Sequence, residues 1–309
     1  MKKIGTGIAI LSLALAIPVA ARLLSIFAIV QEDGRFTTLA VALKIAGLDS
    51  NLNCSINCRS FTAVAPTDNA FALLDKALVT KLTTNKEYLE HLKQLLLYHV
   101  IPGRILSGAI NNGASIHTLQ GEAIKATKIN GKITLNGSAN VVVANIVATN
   151  GVVHAIDKVL IPSFLKKDLV AVAASTTNFK TLVAAVSAVP GLVNVLKTGP
   201  FTIFAPSNAA FAKLGTATVN SLLADPSGRL AEILKYHVVP GIVTKQELKD
   251  GYIPTVFGPS IKVDISSSGS FLNGVSKIGA ANILASNGVI HVIVSACQLG
   301  GHYSCDSNA

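Results

Sequence analysis

Tryptophan is absent from this 309-residue chain, aromatic residues make up 5% of it, and charged residues only 14%. Scarce aromatics exclude the stacking platforms on which single-stranded nucleic acids bind. The formal net charge of +10 is diffuse: apart from Lys2 and Lys3, residues 22–163 and residues 164–309 carry +4 each. Without a basic tail or cluster, we expect no nucleic-acid partner, while a mild long-range attraction to anionic polysaccharide or phospholipid stays open.

Catalytic motifs are missing as well. The chain has no Gly-x-Ser-x-Gly elbow, no cysteine–histidine pairing, no carboxylates paired at a useful spacing and no glycine-rich phosphate loop. Nucleophilic, acid–base and phosphate-binding sites require groups of these kinds. We therefore expect no enzyme, no cofactor and no metal site.

A long apolar run that could enter a membrane occurs at the N-terminus. Lys2 and Lys3 precede a dozen apolar residues and the small residues 19–21, which is typical of a secretory signal peptide cleaved after Ala21. The alternative is an uncleaved anchor that continues to Val30, with Arg22 inside the span at a cost of about 2.5–3.5 kcal/mol. Cleavage predicts a protein of the extracellular space, cell wall or periplasm, with no stable membrane span.

The chain contains four cysteines, and export would place them in an oxidising compartment. In an oxidising compartment they are expected to pair, and three connectivities are possible. Short separations favour one disulfide between Cys54 and Cys58 and another between Cys297 and Cys305.

The dominant feature of the sequence is an internal duplication. Four blocks recur in the same order at offsets of 137 to 143 residues: 36–39 as 179–182, 61–71 as 201–211, 98–103 as 236–241, and 144–154 as 281–291. Ordered blocks with loop-sized drift indicate duplication of a whole domain. We predict domains at 22–163 and 164–300 that abut across a short linker at 162–167, followed by a polar tail at 301–309.

The sequence pattern of each repeat predicts helices followed by strands. Helical spacing covers 36–48 and 88–98, and an alternating, β-branched stretch at 61–65 ends at Pro66 with a capping residue after it. From 116 onward short strands dominate, with a hairpin turn at Asn136-Gly137 and a nearly continuous apolar strand at 151–161. This order predicts an α+β domain.

These blocks resemble the fasciclin domain. The resemblance rests on Phe-Thr-x-x-Ala-Pro-[Thr/Ser]-x-x-Ala-Phe at 61–71 and 201–211, on the Tyr-His pairs at 98–99 and 236–237, and on Asn-Gly-Val-[Val/Ile]-His from Asn150 and Asn287. It implies two wedge-like β-sheet assemblies flanked by helices. It also implies a secreted protein that binds cell-surface or matrix proteins or polysaccharides, anionic glycans among them.

The resemblance also suggests binding residues. In animal members an Asp-Ile pair before the second box and the Tyr-His region are implicated in integrin recognition. The matching candidates in this chain are Tyr98, His99, Asn145, Ile146, Tyr236, His237, Asn282 and Ile283. Because asparagine lacks the carboxylate that a receptor metal ion needs, integrin-type recognition through these pairs is not expected.

The repeated histidines have architectural interpretations beside functional ones. His99 and His237 could be contact residues or pH switches, or could bond to backbone or to Thr62 and Thr202. His154 and His291 lie on apolar strands, where a satisfied core residue is the favoured interpretation over metal binding or catalysis. The main functional hypothesis is an adhesion or matrix-binding module, and the alternative is a carrier of a small apolar or lipidic ligand.

Overall fold

A computed structural model of the protein describes residues 24–52 and 60–295. The predicted signal peptide, the four cysteines and the polar tail lie outside these residues. Within them the two repeats fold as α+β domains of the same design, as the sequence predicts.

The first domain begins with helices and ends with strands. Short 3₁₀ turns at Lys86–Tyr88, Ser107–Ala109 and Ser163–Lys166 join some of these elements. Its helices are α1 (Ile26–Glu32), α2 (Thr37–Ile45), α3 (Asp49–Leu52), α4 (Asp68–Ala72), α5 (Lys76–Thr84) and α6 (Leu89–Leu97). Its strands are β1 (Phe61–Pro66), β2 (Val100–Pro102), β3 (Ser115–His117), β4 (Ala123–Ile129), β5 (Lys132–Leu135), β6 (Ala139–Ala148) and β7 (Gly151–Ile156).

The second domain repeats this order. Its helices are α7 (Leu169–Ala174), α8 (Lys180–Ala188), α9 (Leu192–Thr198), α10 (Asn208–Lys213), α11 (Thr216–Ala224) and α12 (Arg229–Tyr236), with a 3₁₀ turn at Thr177–Phe179. Its strands are β8 (Phe201–Pro206), β9 (Val238–Pro240), β10 (Gly251–Pro254), β11 (Ser260–Ser266), β12 (Gly269–Leu272), β13 (Ser276–Lys277), β14 (Ile283–Ala285) and β15 (Gly288–Ile293).

A parallel pair of strands forms the centre of each domain. In the first domain β1 runs parallel to β7 within a seven-stranded sheet of order β2-β1-β7-β6-β5-β4-β3. In the second domain β8 runs parallel to β15 in a four-stranded sheet, β14-β15-β8-β9, and a bridge between Ile278 and Ile293 leads to a second sheet, β10-β11-β12-β13. Every residue of β7 is buried, as its nearly continuous apolar sequence predicts.

Strand β6 is longer than its counterpart in the second domain. It spans ten residues and bends at two register shifts, between Val141 and Val143 and between Val143 and Ile146. The equivalent segment of the second domain is divided into β13 and β14. Bulges of this kind increase local twist, which allows one strand to serve both the helix-covered sheet and the hairpin region.

The apolar strand predicted for 151–161 ends earlier, at Ile156. Beyond it the chain leaves the sheet, and the backbone N–H of Leu160 donates to His99 Nε2 at 3.0 Å. Val159 and Leu160 remain buried, so the apolar run continues as core without continuing as strand.

Helix α1 contains most of the apolar residues that follow Arg22. Ile26, Phe27, Ile29 and Val30 are buried in the core of the first domain, and Ile26 is 0% exposed. An uncleaved anchor reaching Val30 would have to remove these side chains from that core. Among residues 24–52 and 60–295, no single helix is long and apolar enough to cross a membrane; only a pair bent by 111°, Thr177–Ala188 with Leu192–Thr198, reaches that length when taken together.

Candidate functional site

The paired tyrosines at the C-terminal ends of α6 and α12 are internal. Tyr98 and Tyr236 are buried, and their hydroxyls accept hydrogen bonds from Asn136 Nδ2 at 2.8 Å and from Asn273 Nδ2 at 3.0 Å. These asparagines follow β5 and β12 in the hairpin turns, so each tyrosine joins a helix end to the strand region. Neither ring offers a surface to a partner.

The histidines that follow these tyrosines are buried too. His99 Nδ1 donates to the carbonyl oxygen of Leu95 at 2.9 Å, while Nε2 accepts from Leu160. In the second domain His237 Nδ1 donates to Ile233 O at 2.7 Å. Burial lowers the pKa of His99 to about 4 and that of His237 in the same direction, so both imidazoles are neutral near pH 7.

Thr62 and Thr202 have other partners than these histidines. The Thr62 hydroxyl donates to Gly103 O at 2.7 Å and accepts from the backbone N–H of Ile105 at 2.8 Å. Thr202 makes the same two bonds to Gly241 O and Val243 N. His99 and His237 therefore bond to backbone atoms. Thr62 and Thr202 instead hold the loops after β2 and β9.

In each domain the same loop, after β2 or β9, contacts the second repeated histidine, His154 or His291. His154 lies on β7, donates through Nε2 to Ile105 O at 2.9 Å, and accepts the backbone N–H of Asn145 at Nδ1 at 3.2 Å. His291 makes the same pair of bonds to Val243 O and Asn282 N. Both rings are buried and neutral, with pKa values lowered chiefly by burial. They fix the position of the asparagine in each repeat.

Asn145 and Asn282 both adopt left-handed backbone, with φ of 62° and 59°. Asparagine tolerates this conformation better than most residues because its side chain bonds locally. Asn145 Oδ1 accepts the N–H of Ser107 at 2.9 Å, and Nδ2 donates to Ser107 Oγ at 2.8 Å. Asn282 binds Lys245 N and Gln246 Oε1 in the same way, at 2.8 Å each. Both amides are thus occupied by the adjacent loop.

The surfaces around these asparagines differ between the domains. Val147, two residues after Asn145, is 46% exposed, whereas its counterpart Leu284 is 8% exposed. The difference arises because the first domain covers Leu284, which belongs to the same apolar cluster as the first domain's core. We call the open region the β6 surface, formed by Arg104, Ser107, Asn145, Ile146 and Val147.

The domains touch through helices α5 and α6 of the first and strand β14 of the second. His91 Nε2 donates to Ala285 O at 2.9 Å, and Lys81 Nζ donates to Ser286 O at 3.0 Å. Lys81 also lies 4.2 Å above the centre of the Tyr88 ring, and the His91 ring packs edge-on against Phe164 of the linker. As expected from the short linker, the domains abut.

A polar cleft of about 480 Å³ opens beside this contact. It contains Asn282 and Ile283, so the second domain's copy of the candidate pair faces the first domain across the cleft. The side chains that line it are mainly amides, carboxylates and hydroxyls, among them Glu90, Gln94, Gln120, Glu122, Ser163 and Gln246. Several are bonded to one another, as Glu122 is to Ser163 and Gln94 is to Glu90.

The family model for the fasciclin domain matches residues 34–162 and 177–296, one match in each repeat. The chain belongs to the fasciclin domain family. The two matches coincide with the two folded units, and the boxes on which the resemblance rests lie within them.

Curated relatives carry the same domain. The chain is 34% identical over 238 residues to transforming growth factor-beta-induced protein ig-h3 of Sus scrofa and 30% identical over 240 residues to periostin of Homo sapiens, alignments that cover 76% of this chain in both cases. It spans 34% and 28% of those relatives' lengths. Protein sll1483 of Synechocystis sp. is 42% identical over 126 residues, which is 40% of this chain and 69% of that protein.

A solved structure is also similar. It is a FAS1 domain pair from the insect cell adhesion molecule Fasciclin I, with 19% sequence identity and a TM-score of 0.46, covering 85% of this chain and 96% of that chain.

Among the residues that the structure describes, no group of three or more histidine, cysteine, aspartate or glutamate side chains could hold a metal ion. The Asn145 amide, for its part, bonds Ser107 through both its oxygen and its nitrogen.

Sequence reasoning missed the residues of the domain interface. Lys81 and His91 are not shared by the repeats: the helix register places Ser221 and Arg229 at their positions. A difference between the repeats at such positions is a sequence signal for an interface. A residue buried between the domains in one repeat need not recur where the equivalent surface of the other repeat is exposed.

Proposed function

We propose that this fasciclin protein is secreted and acts as an adhesion or matrix-binding module, and that the β6 surface of its first domain contacts the partner. The names of its relatives support the general class. What favours this particular surface is the contrast between the repeats. Val147, next to the Asn-Ile pair that the family resemblance marks for recognition, is 46% exposed in the first domain, whereas its counterpart Leu284 is 8% exposed and packs against the first domain.

The chemistry of the β6 surface suits a partner with acidic groups. Arg104 is exposed, and Lys128 Nζ lies 2.9 Å from Ser107 O within the same region. Val147 is 46% exposed and supplies an apolar contact on this surface, whereas Ile146 is partly buried and packs against the domain's own core. Anionic polysaccharides and acidic matrix proteins present groups of that kind, and their attraction would weaken with added salt.

Immobilised matrix proteins and heparin provide a direct test with the mature chain, residues 22–309. The variant Arg104→Gln/Val147→Ser removes one charge and one apolar contact from the surface. We expect a loss of binding of about tenfold or more, which corresponds to about 1.4 kcal/mol.

A matched control lies toward the other end of β6 and on the neighbouring strand β5. Val142 is 54% exposed on β6 and Lys132 is exposed on β5, so Lys132→Gln/Val142→Ser makes the same chemical changes away from the β6 surface. Binding by this control should stay within about twofold of the parent protein. Equal loss in both variants, or no loss in either, would refute the assignment of the surface.

The alternative of an apolar-ligand carrier gains no support from the second domain's core. The apolar cavity among α7, α8, α9 and the sheet has a volume of about 30 Å³. One water needs about 10–15 Å³ on this measure, so the cavity holds nothing near the size of a lipid chain.

A further inference from the structure

The polar cleft between the domains contains most of the glutamines of the chain. Glutamine is scarce, with five residues among 309, and three of the five line this one cleft. They come from separate parts of the fold: Gln94 lies on α6, Gln120 in the turn between β3 and β4, and Gln246 in the loop after β9. Because two of them belong to the first domain and one to the second, the cleft has this lining only while the domains are docked.

None of these glutamines belongs to the pattern that the two repeats share. The residues at the equivalent positions of the other repeat are Glu232, Phe257 and Gly108. Glu122, which also lines the cleft, corresponds to Pro259. Since each domain folds without an amide at these positions, the presence of three amides reflects a requirement of the cleft itself.

Each glutamine is oriented by one internal hydrogen bond. Gln94 Nε2 donates to Glu90 Oε1 at 2.8 Å. Gln120 Oε1 accepts the backbone N–H two residues further on at 2.9 Å, and Gln246 Oε1 accepts from Asn282 Nδ2 at 2.8 Å. Within the described residues the other half of each amide makes no hydrogen bond. One carbonyl oxygen and two NH₂ groups are therefore available to a ligand.

The charged groups of the cleft do not match an ionic ligand. Glu90 and Glu122 accept hydrogen bonds from neutral donors, the Gln94 amide and Ser163, and neither forms an ion pair with any residue that the structure describes. Uncompensated carboxylates repel the sulfate and carboxylate groups of anionic glycans. Lys167 adds a positive charge to the same lining, so the cleft is not a cation site either.

A neutral saccharide matches this lining. Its hydroxyls both donate and accept hydrogen bonds, as the amides and carboxylates require. The C–H face of a sugar ring packs on apolar side chains, and the buried residues Phe164 and Leu284 also line the cleft. Its volume of about 480 Å³ lies within the range of about 300–1,000 Å³ that is usual for ligand sites.

We propose that the cleft binds a neutral, hydroxyl-rich oligosaccharide through the amides of Gln94, Gln120 and Gln246. This site is additional to the adhesion surface, because none of its residues belongs to the β6 surface. Since the bound saccharide contacts both domains, it also stabilises their docked arrangement.

Titration of the mature chain, residues 22–309, with neutral hexasaccharides tests the site. Cellohexaose, mannohexaose, xylohexaose and chitohexaose differ in the stereochemistry and substitution of their hydroxyls. We expect at least one of them to shift the side-chain NH₂ signals of Gln94, Gln120 and Gln246 together in heteronuclear NMR spectra. A heparin hexasaccharide should leave these signals in place. The proposal is overturned if none of the four saccharides shifts them, or if spermidine, a small cation, shifts them and no saccharide does.

Single substitutions then assign the binding to the amides. Gln94→Met and Gln246→Met remove one amide each and keep the length of the side chain. Methionine is as favourable as glutamine on a helix, and Gln246 is exposed, so both variants should fold with docked domains. Small-angle X-ray scattering checks docking through an unchanged radius of gyration. We expect each variant to bind the hexasaccharide about tenfold more weakly by isothermal titration calorimetry.

Gln31→Met is the matched control, because it removes an exposed amide on α1, outside the cleft. Its affinity for the hexasaccharide should stay within about twofold of the parent protein. Equal affinity in the parent and in both cleft variants overturns the assignment of the site. Heparin binding is measured on the same proteins and should be unchanged by the cleft substitutions, so failure of the cleft and failure of the β6 surface are distinguishable.

Discussion

His91 Nε2 lies 2.9 Å from the carbonyl oxygen of Ala285, across the boundary between the two domains. The ring is 0% exposed, and within the described residues its Nδ1 has no hydrogen-bond partner. Burial lowers the pKa of His91 to about 4, against the opposing effect of nearby backbone carbonyls, and the positive charge of Lys81 adds to the lowering. The imidazole in this contact is therefore neutral near pH 7.

Domain docking should weaken in mild acid. The docked pKa is below the ordinary value of 6.5, so the separated state binds the proton more tightly, and stability present above pH 6.5 is lost as the pH falls toward 4. At pH 5.5 we expect the contribution of His91 to be lower by about 1 kcal/mol than at pH 7.5. Urea unfolding at the two pH values, with small-angle scattering to follow domain separation, measures this loss.

His91→Gln is the control for that experiment, because glutamine keeps an N–H donor for Ala285 and does not titrate. The substitution leaves in place Tyr88, which packs against the His91 ring, Lys81, which lies over Tyr88, and the other buried histidines. The difference between the two proteins therefore isolates His91. Identical pH dependence in parent and variant would show that this histidine does not govern docking.

Replacing His99 by alanine should destabilise the first domain. The change leaves the N–H of Leu160 and the carbonyl of Leu95 without their side-chain partner, and it opens a cavity in a buried site. We expect a loss of about 2–4 kcal/mol in the free energy of unfolding. His117→Ala, at an exposed position, should change it by less than about 0.5 kcal/mol. Loss of partner binding at unchanged stability would instead make His99 a contact residue.

The repeated blocks explain why so much of the fold was predictable. Pro66 ends a strand and Thr67 caps the next helix through a bond to Ala70 N, and the hairpin turn at Asn136-Gly137 lies between β5 and β6. Each of these signals is local, so it acts in any context that contains the same few residues. Because these signals occur in both repeats, the duplication was visible in the sequence as well.

The candidate site was less predictable because its decisive contacts are not local. His91 and Ala285 are 194 residues apart, and nothing in the sequence near either residue indicates the other. The sequence also does not indicate which of the two equivalent side chains is exposed. Val147 and Leu284 follow nearly identical sequences, and only the placement of the domains leaves Val147 exposed and covers Leu284. Repeat comparison identifies the positions, whereas docking geometry decides their roles.

Asn145 should tolerate glycine better than alanine. Its φ of 62° is strained for residues with a Cβ, and asparagine offsets this through its bonds to Ser107. We expect Asn145→Ala to cost about 1–2 kcal/mol more than Asn145→Gly, since both lose the amide but only alanine keeps the backbone strain. Thermal and urea unfolding of the two variants give the comparison. An equal cost would mean that the side-chain bonds, rather than backbone conformation, select asparagine here.

Gly151 begins the central strand β7 at a point where another backbone leaves no room. A Cβ at this position would overlap the carbonyl oxygen of Phe61 on the parallel strand β1, and φ is 153°. We expect Gly151→Ala to prevent stable folding of the first domain, because the β1–β7 register would have to shift. Gly113→Ala is a suitable control: φ is also positive, at 79°, but nothing lies within 4 Å of the added carbon, so only a strain of about 1–2 kcal/mol is expected. Circular dichroism and NMR of both variants distinguish the two outcomes, and a well-folded Gly151→Ala protein would contradict the close approach of β1 and β7.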